Sequence, residues 1–142
     1  MIQKTIENWH LFLSGEKELN ELLHSECVFW SPVLFKPIHG RELTKMYLEA
    51  AYKVFPGDTE QATRKKDQNY SGSFRYTKKI IDGNHAALEF ETKIDDIAIN
   101  GIDIITCDEN SLIKEFKVMI RPKKGVEKIQ EQMASMLKSL EI

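Results

Sequence analysis

Long apolar runs are missing from this chain of 142 residues. A helix that crosses a bilayer needs about 20 predominantly apolar residues. No stretch approaches that, so no membrane partner is expected. Charge of one sign is missing too: 20 Lys and Arg stand against 22 Asp and Glu, a formal net charge of −2. Nucleic-acid binding is therefore not expected, because there is no basic footprint to hold phosphates. The densest basic cluster, Arg64-Lys65-Lys66, is soon followed by Asp67 and reads as a solvated loop. Cysteine is scarce. Cys27 and Cys107 stand alone without metal-ligand spacing and read as reduced, buried thiols. The first residues carry charges inside their apolar pattern and no signal-peptide core, so a cytoplasmic location is expected. Glycine-rich phosphate loops and nucleophile elbows are absent. His10, His24, His39 and His85 form no metal pattern, and no cofactor is implied.

What is present is ordinary in bulk: 42% hydrophobic and 30% charged residues suit a soluble globular protein. The length suits a single domain, 1–142, with one core. Apolar spacing is helical at both ends of the chain and strand-like between. Ile2, Ile6, Trp9 and Phe12 or Leu13 share one face of a first helix that ends near Ser14-Gly15. A short helix with Leu19, Leu22 and Leu23 inward follows, then a β-prone Cys27 to Trp30 stopped by Ser31-Pro32. Gly40 opens a long helix with a stripe of Leu43, Met46, Tyr47, Ala50, Ala51 and Val54, closed by Pro56-Gly57. Residues 57–69 read as a polar loop.

The rest is mostly sheet. Tyr70 to Ile81 alternates, with Gly72, Phe74 and Tyr76 on one side. Asp82-Gly83-Asn84 is a hairpin turn. Ala86, Leu88, Phe90, Thr92 and Ile94 share the inner face of the returning strand. In IAINGIDIITC, Ile102 and Ile104 point one way and Asp103, Ile105 and Cys107 the other, so this strand is covered on both faces. Phe116, Val118 and Ile120 then share a face, and a last helix carries Val126, Ile129, Met133, Met136 and Leu140. That spacing suits docking on the sheet or on a second subunit. Helices first and sheet afterwards predict an α+β fold.

Asp103 is the residue that needs a reason. A carboxylate on a buried face is costly unless something partners it. Two compatible readings stand. One is a pocket acid with a raised pKa, serving as acid, base or ligand anchor. The other is a structural aspartate hydrogen-bonded to the Trp9 N–H, Tyr47 or a histidine. Trp9, Phe12, Phe29, Tyr47, Phe74, Tyr76, Leu88, Phe90, Phe116, Val118 and Ile120 are the candidate walls of a cavity, with a filled core as the competing account. His39, at a helix start, is the one histidine to test as catalytic. Arg121 reads as an ion-pair partner or a dimer contact.

The opening helix with Trp9, the VFWSP segment, PIHG, DGNHAALEF, NGIDIITCDENSLIKEF and MIRP, in this order, resemble the nuclear transport factor 2-like superfamily. Within it the likeness is to SnoaL-like proteins and ketosteroid isomerases, over nearly the whole chain. The resemblance implies a cone-shaped α+β barrel: a curved antiparallel sheet wrapped around N-terminal helices, with an apolar pocket. It also implies a homodimer through the outer sheet face, where Ile102, Ile104, Ile113 and Met119 are expected. In ketosteroid isomerases a catalytic carboxylate base precedes a proline, and that position holds Ser31 here. Their oxyanion-binding tyrosine corresponds to Trp9, and their protonated aspartate to Asp103. The resemblance thus implies a small hydrophobic partner. It leaves open proton-transfer chemistry (isomerisation, cyclisation, dehydration or epoxide opening), a non-catalytic binding module and an interaction domain.

Overall fold

The structure is a computed structural model that describes residues 1–55 and 74–140. The expected helix stop at Pro56-Gly57, the polar run 57–69 with Arg64-Lys65-Lys66, and Tyr70 and Gly72 lie outside the described residues, as does the side chain of Leu140.

Helix α1 spans Ile2–Leu13 and buries Ile2, Ile6, Trp9, Phe12 and Leu13, the face that the helical period selects. A single 3-10 turn, Leu19–Glu21, leads into β1 (Leu23–Trp30). Strand β2 (Ile38–His39) pairs back on β1, and α2 (Arg41–Val54) follows. Strands β3 (Arg75–Asp82), β4 (His85–Ile94), β5 (Ile97–Cys107) and β6 (Ile113–Arg121) form a meander, and α3 (Lys123–Leu140) ends the described chain. No described helix is long and apolar enough to cross a membrane.

The strands make one open, curved sheet in the order β2-β1-β6-β5-β4-β3. One pairing departs from the expected antiparallel sheet: β1 runs parallel to β6. The Ile113 N–H donates to the Leu22 carbonyl at 2.7 Å, which aligns the two strand starts in the same direction. The β4–β5 ladder is unbroken from His85 opposite Thr106 to Ile94 opposite Ile97. Its two-residue turn, Asp95-Asp96, has φ of 49° and 67°, the left-handed geometry that matches strand twist in a tight hairpin. Register shifts interrupt β3–β4 beside Tyr76, β5–β6 beside Thr106, and β1–β6 between Leu23 and Val28. Such bulges bend strands and increase their twist, which supplies curvature.

Two apolar clusters fill the concave side. One joins Ile2, Ile6, Leu19, Leu22, Leu23 and their neighbours to Leu88, Ile105 and Phe116. The other joins Phe74, Phe90, Ile94, Ile99 and Ile129. Tyr76 and Val118 pack against both.

Two expectations change. Leu43 is 49% exposed, because α2 turns Thr44 and Leu48, one turn apart, into the interior instead. Ile113 is fully buried rather than on the outer face: the register shift at Thr106/Cys107 inverts the side-chain alternation there, so Ile113 faces inward together with Phe116. The final helix docks on β5, β6 and α2, with Ile129 as its buried contact.

Gly101 lies directly opposite Phe90, whose ring crosses the space a Cβ would fill. A Cβ there would also stand 2.8 Å from the Met119 carbonyl oxygen. Gly101→Ala is expected to destabilise the fold by about 1–3 kcal/mol through overpacking, read from denaturant midpoints. An unchanged midpoint would mean that the Phe90 ring does not sit there.

Candidate functional site

The two clusters leave a cavity of about 220 Å³ between the sheet and the helices. Helix α1 contributes Trp9 and Phe12, β1 contributes Phe29, and α2 contributes Tyr47. Phe74, Tyr76, Phe90, Phe116, Val118 and Ile120 come from the sheet side. Ten of the eleven residues expected as walls therefore line one cavity. Leu88 does not: it is 1% exposed and packed solid in the larger cluster, opposite Asp103 in the β4–β5 ladder. His39 does not either. It is an exposed residue of β2 paired with Val28, away from the cavity wall.

The sequence pattern missed a further part of the wall. Pro32, Val33 and Leu34 follow β1 at the cavity, and Ile129, Met133 and Leu137 of α3 close it on another side. The i, i+4, i+8 spacing of those three α3 residues was the available signal. The stripe read for that helix named Met136 in place of Leu137.

Asp103 reaches this wall from the centre of the sheet and is 5% exposed. Its partner is none of the expected three. The Tyr76 hydroxyl donates to Asp103 Oδ2 at 2.7 Å, and Trp9 Nε1 donates to the Tyr76 hydroxyl at 2.8 Å. Three elements far apart in sequence thus meet in one chain of hydrogen bonds. The bulge beside Tyr76 assists, since register slips between its pairing with Phe90 and that of Lys78 with Glu89. Asp103 Oδ1 makes no hydrogen bond among the described residues. Burial pushes the carboxyl up to about 7, against a smaller downward pull from the Tyr76 hydroxyl.

Around this acid the walls are aromatic. Phe74 stacks on Phe90 with centroids 4.8 Å apart and meets Tyr76 edge-on at 5.0 Å. Trp9 packs on Phe116 at 4.9 Å. Ser31 lines the cavity, but its Oγ accepts the Val33 N–H at 3.1 Å in a local turn. No histidine, lysine or second carboxylate lies on the described wall. Among the described residues no three His, Cys, Asp or Glu side chains gather as metal ligands. His24 approaches Asp108 at 4.0 Å, His85 bonds Thr106 at 3.0 Å, and Arg121 donates to Asn100 at 3.2 Å, all apart from the cavity. Cys27 and Cys107 are buried and free, and burial raises the Cys27 thiol.

The raised carboxyl carries a stability consequence. Between about pH 4 and 7 the folded protein holds a proton on Asp103 that the unfolded chain has released. This contribution to stability is full below the unfolded value and is lost as pH rises through about 7. The loss is on the order of 4 kcal/mol. Asp103→Asn is expected to flatten that slope and to gain relative to the native chain at alkaline pH, as urea unfolding across the pH range would record. An identical slope in the variant would place the titration elsewhere.

No family model and no curated protein matches the chain. Solved structures do. A steroid delta-isomerase from Pseudomonas aeruginosa is 32% identical, over 98% of this chain and 93% of that one, with a TM-score of 0.79. A nuclear transport factor 2-like protein of unknown function from Mesorhizobium loti has 15% identity over 85% of this chain and 91% of that one, TM-score 0.63. The epoxide hydrolase/cyclase-like enzyme SalBIII of pyran ring formation in the polyether salinomycin has 13% identity over 84% and 89%, TM-score 0.57. The last two speak for the fold alone. The isomerase likeness covers nearly the whole chain, and the chain belongs to the nuclear transport factor 2-like superfamily, in its ketosteroid isomerase-like and SnoaL-like branch.

Proposed function

We propose that this protein binds a small, largely hydrophobic molecule in the cavity and that Asp103 exchanges a proton at a carbonyl-type oxygen of that molecule. The single observation that carries this reading is a buried acid, its carboxyl pushed up to about 7 by burial, on the wall of an otherwise largely apolar cavity. A group with that titration holds a proton for donation and takes one back at ordinary pH. Aromatic walls exclude water and so strengthen the hydrogen bond that the acid makes to its ligand. The 32%-identical structure named for steroid isomerisation supports this reading, which covers isomerisation, cyclisation, dehydration and epoxide opening.

One observation favours a second reading, a non-catalytic binding module. A two-step proton transfer needs a base besides the acid. Where the isomerases resembled here carry a carboxylate, this wall carries Ser31, whose Oγ is engaged with Val33. Binding then remains, with Asp103 as the polar anchor.

Two copies pair, in this proposal, through the outer face of the sheet. Ile80, Ala87 and Ile104 form a row across β3, β4 and β5, and Ile102 lies beside Met119. Ile80 is 57% and Met119 48% exposed. Rows of this kind suit a two-fold, self-complementary contact. The two free buried thiols suit the reducing cytoplasm.

Incubation with unsaturated cyclic ketones and epoxides, followed by mass spectrometry, separates the readings. Turnover that falls by about 10²–10⁴-fold in Asp103→Asn fits general acid–base catalysis. A ligand retained without conversion selects the binding module, and turnover unchanged in the variant removes Asp103 from the chemistry. Sedimentation is expected to find a dimer that Met119→Glu dissociates; a monomeric native chain rejects the pairing.

A further inference from the structure

Asp103 has two carboxyl oxygens in unlike surroundings. Oδ2 accepts the Tyr76 hydroxyl, while Oδ1 has no partner among the described residues and belongs to a side chain on the cavity wall. The direction of the chain is set at its far end. An indole N–H only donates, so the Tyr76 oxygen is an acceptor toward Trp9. A hydroxyl that accepts on one side becomes a better donor on the other. Reversing the second bond would aim two donors, the indole N–H and an acid O–H, at one phenol oxygen.

We propose that Trp9 is a positioning residue that fixes the Tyr76 hydroxyl as a donor to Oδ2, so that the exchangeable proton of Asp103 resides on Oδ1 and points at an oxygen acceptor of the ligand. The inference rests on the binding function proposed above and adds to it which oxygen of Asp103 carries the proton and which residue fixes that choice. Trp9 acts through Tyr76, without a bond of its own to Asp103.

Leu88 and Val118 flank Asp103 on the neighbouring strands, and Phe74 and Phe90 meet the Tyr76 ring edge-on. Among the described residues His10 of α1 is a titratable neighbour, its ring 5.7 Å from that of Tyr76. Its own charge is a control to be run.

The probe is acedan, a neutral fluorescent ketone whose carbonyl only accepts hydrogen bonds and whose emission moves to the red when it does. The native protein is expected to bind it with red-shifted emission at acid pH and to lose affinity as Asp103 ionises. Tyr76→Phe removes the bond that favours the carboxylate. The pH midpoint is expected to rise. Trp9→Phe frees Tyr76 to accept instead, which diverts the proton to Oδ2. The midpoint is expected to rise and acid-side affinity to fall about fivefold. A fall in affinity with an unmoved midpoint assigns Trp9 to packing alone and overturns the inference, as does a midpoint that vanishes in His10→Gln.

Infrared spectroscopy of the unliganded native protein decides independently of ligand and of variant folding. Asp103→Asn serves only to assign the band. A low-frequency acid carbonyl is expected, because Oδ2 is then the carbonyl oxygen and accepts from Tyr76. A carbonyl at the unbonded frequency puts the proton on Oδ2 and refutes the inference. Failure of acedan to bind would strike the binding function, and the infrared band would still settle where the proton sits.

Discussion

One buried carboxyl group, held by a phenol that is itself held by an indole, organises the concave side of this protein. Removing an acid from water is expensive, and a single neutral hydrogen bond offsets only part of the cost. The balance appears as a carboxyl that keeps its proton to about pH 7. The fold tolerates this because the surrounding clusters, with Phe90, Phe116, Leu88 and Ile105 almost fully buried, make the sheet hard to distort.

The curved sheet is what makes the arrangement geometrically available. Trp9 comes from the first helix, Tyr76 from an edge strand and Asp103 from a strand with two strands beyond it on one side and three on the other. They meet because bulges bend the strands toward the helices. Gly101 has a related part. Lacking a Cβ, it lets Phe90 lie across the sheet and leaves room between that ring and the helices. Packing and cavity are consequences of the same backbone choices.

Much of this was legible in the sequence. Strict alternation in β4 marked Ala86, Leu88, Phe90, Thr92 and Ile94 as inward, and all five are buried. Asp103 stood out as an acid on an apolar face, and the order of short segments carried the family. Alternation cannot distinguish a filled core from a cavity wall, however, and so Leu88 was grouped with Phe90. Nor does it survive a bulge, which is why Ile113 was placed outside. The face of α2 was misread because Thr44, a polar residue, takes an inward position that the apolar count gave to Leu43. The Tyr76–Asp103 bond depends on a register slip that no local pattern encodes. His39 drew interest from its place before a helix, yet helix starts are common and β2 holds it away from the wall.

The account stands or falls on the ionisation of one side chain. Carbon-13 NMR of the protein labelled at aspartate carboxyls, with Asp103 assigned by its absence in Asp103→Asn, reads that ionisation directly. A midpoint of about 7 is what burial beside Tyr76 demands. A midpoint near 4, the ordinary carboxylate range, would mean that water reaches Asp103 freely and that the buried acid described here does not exist.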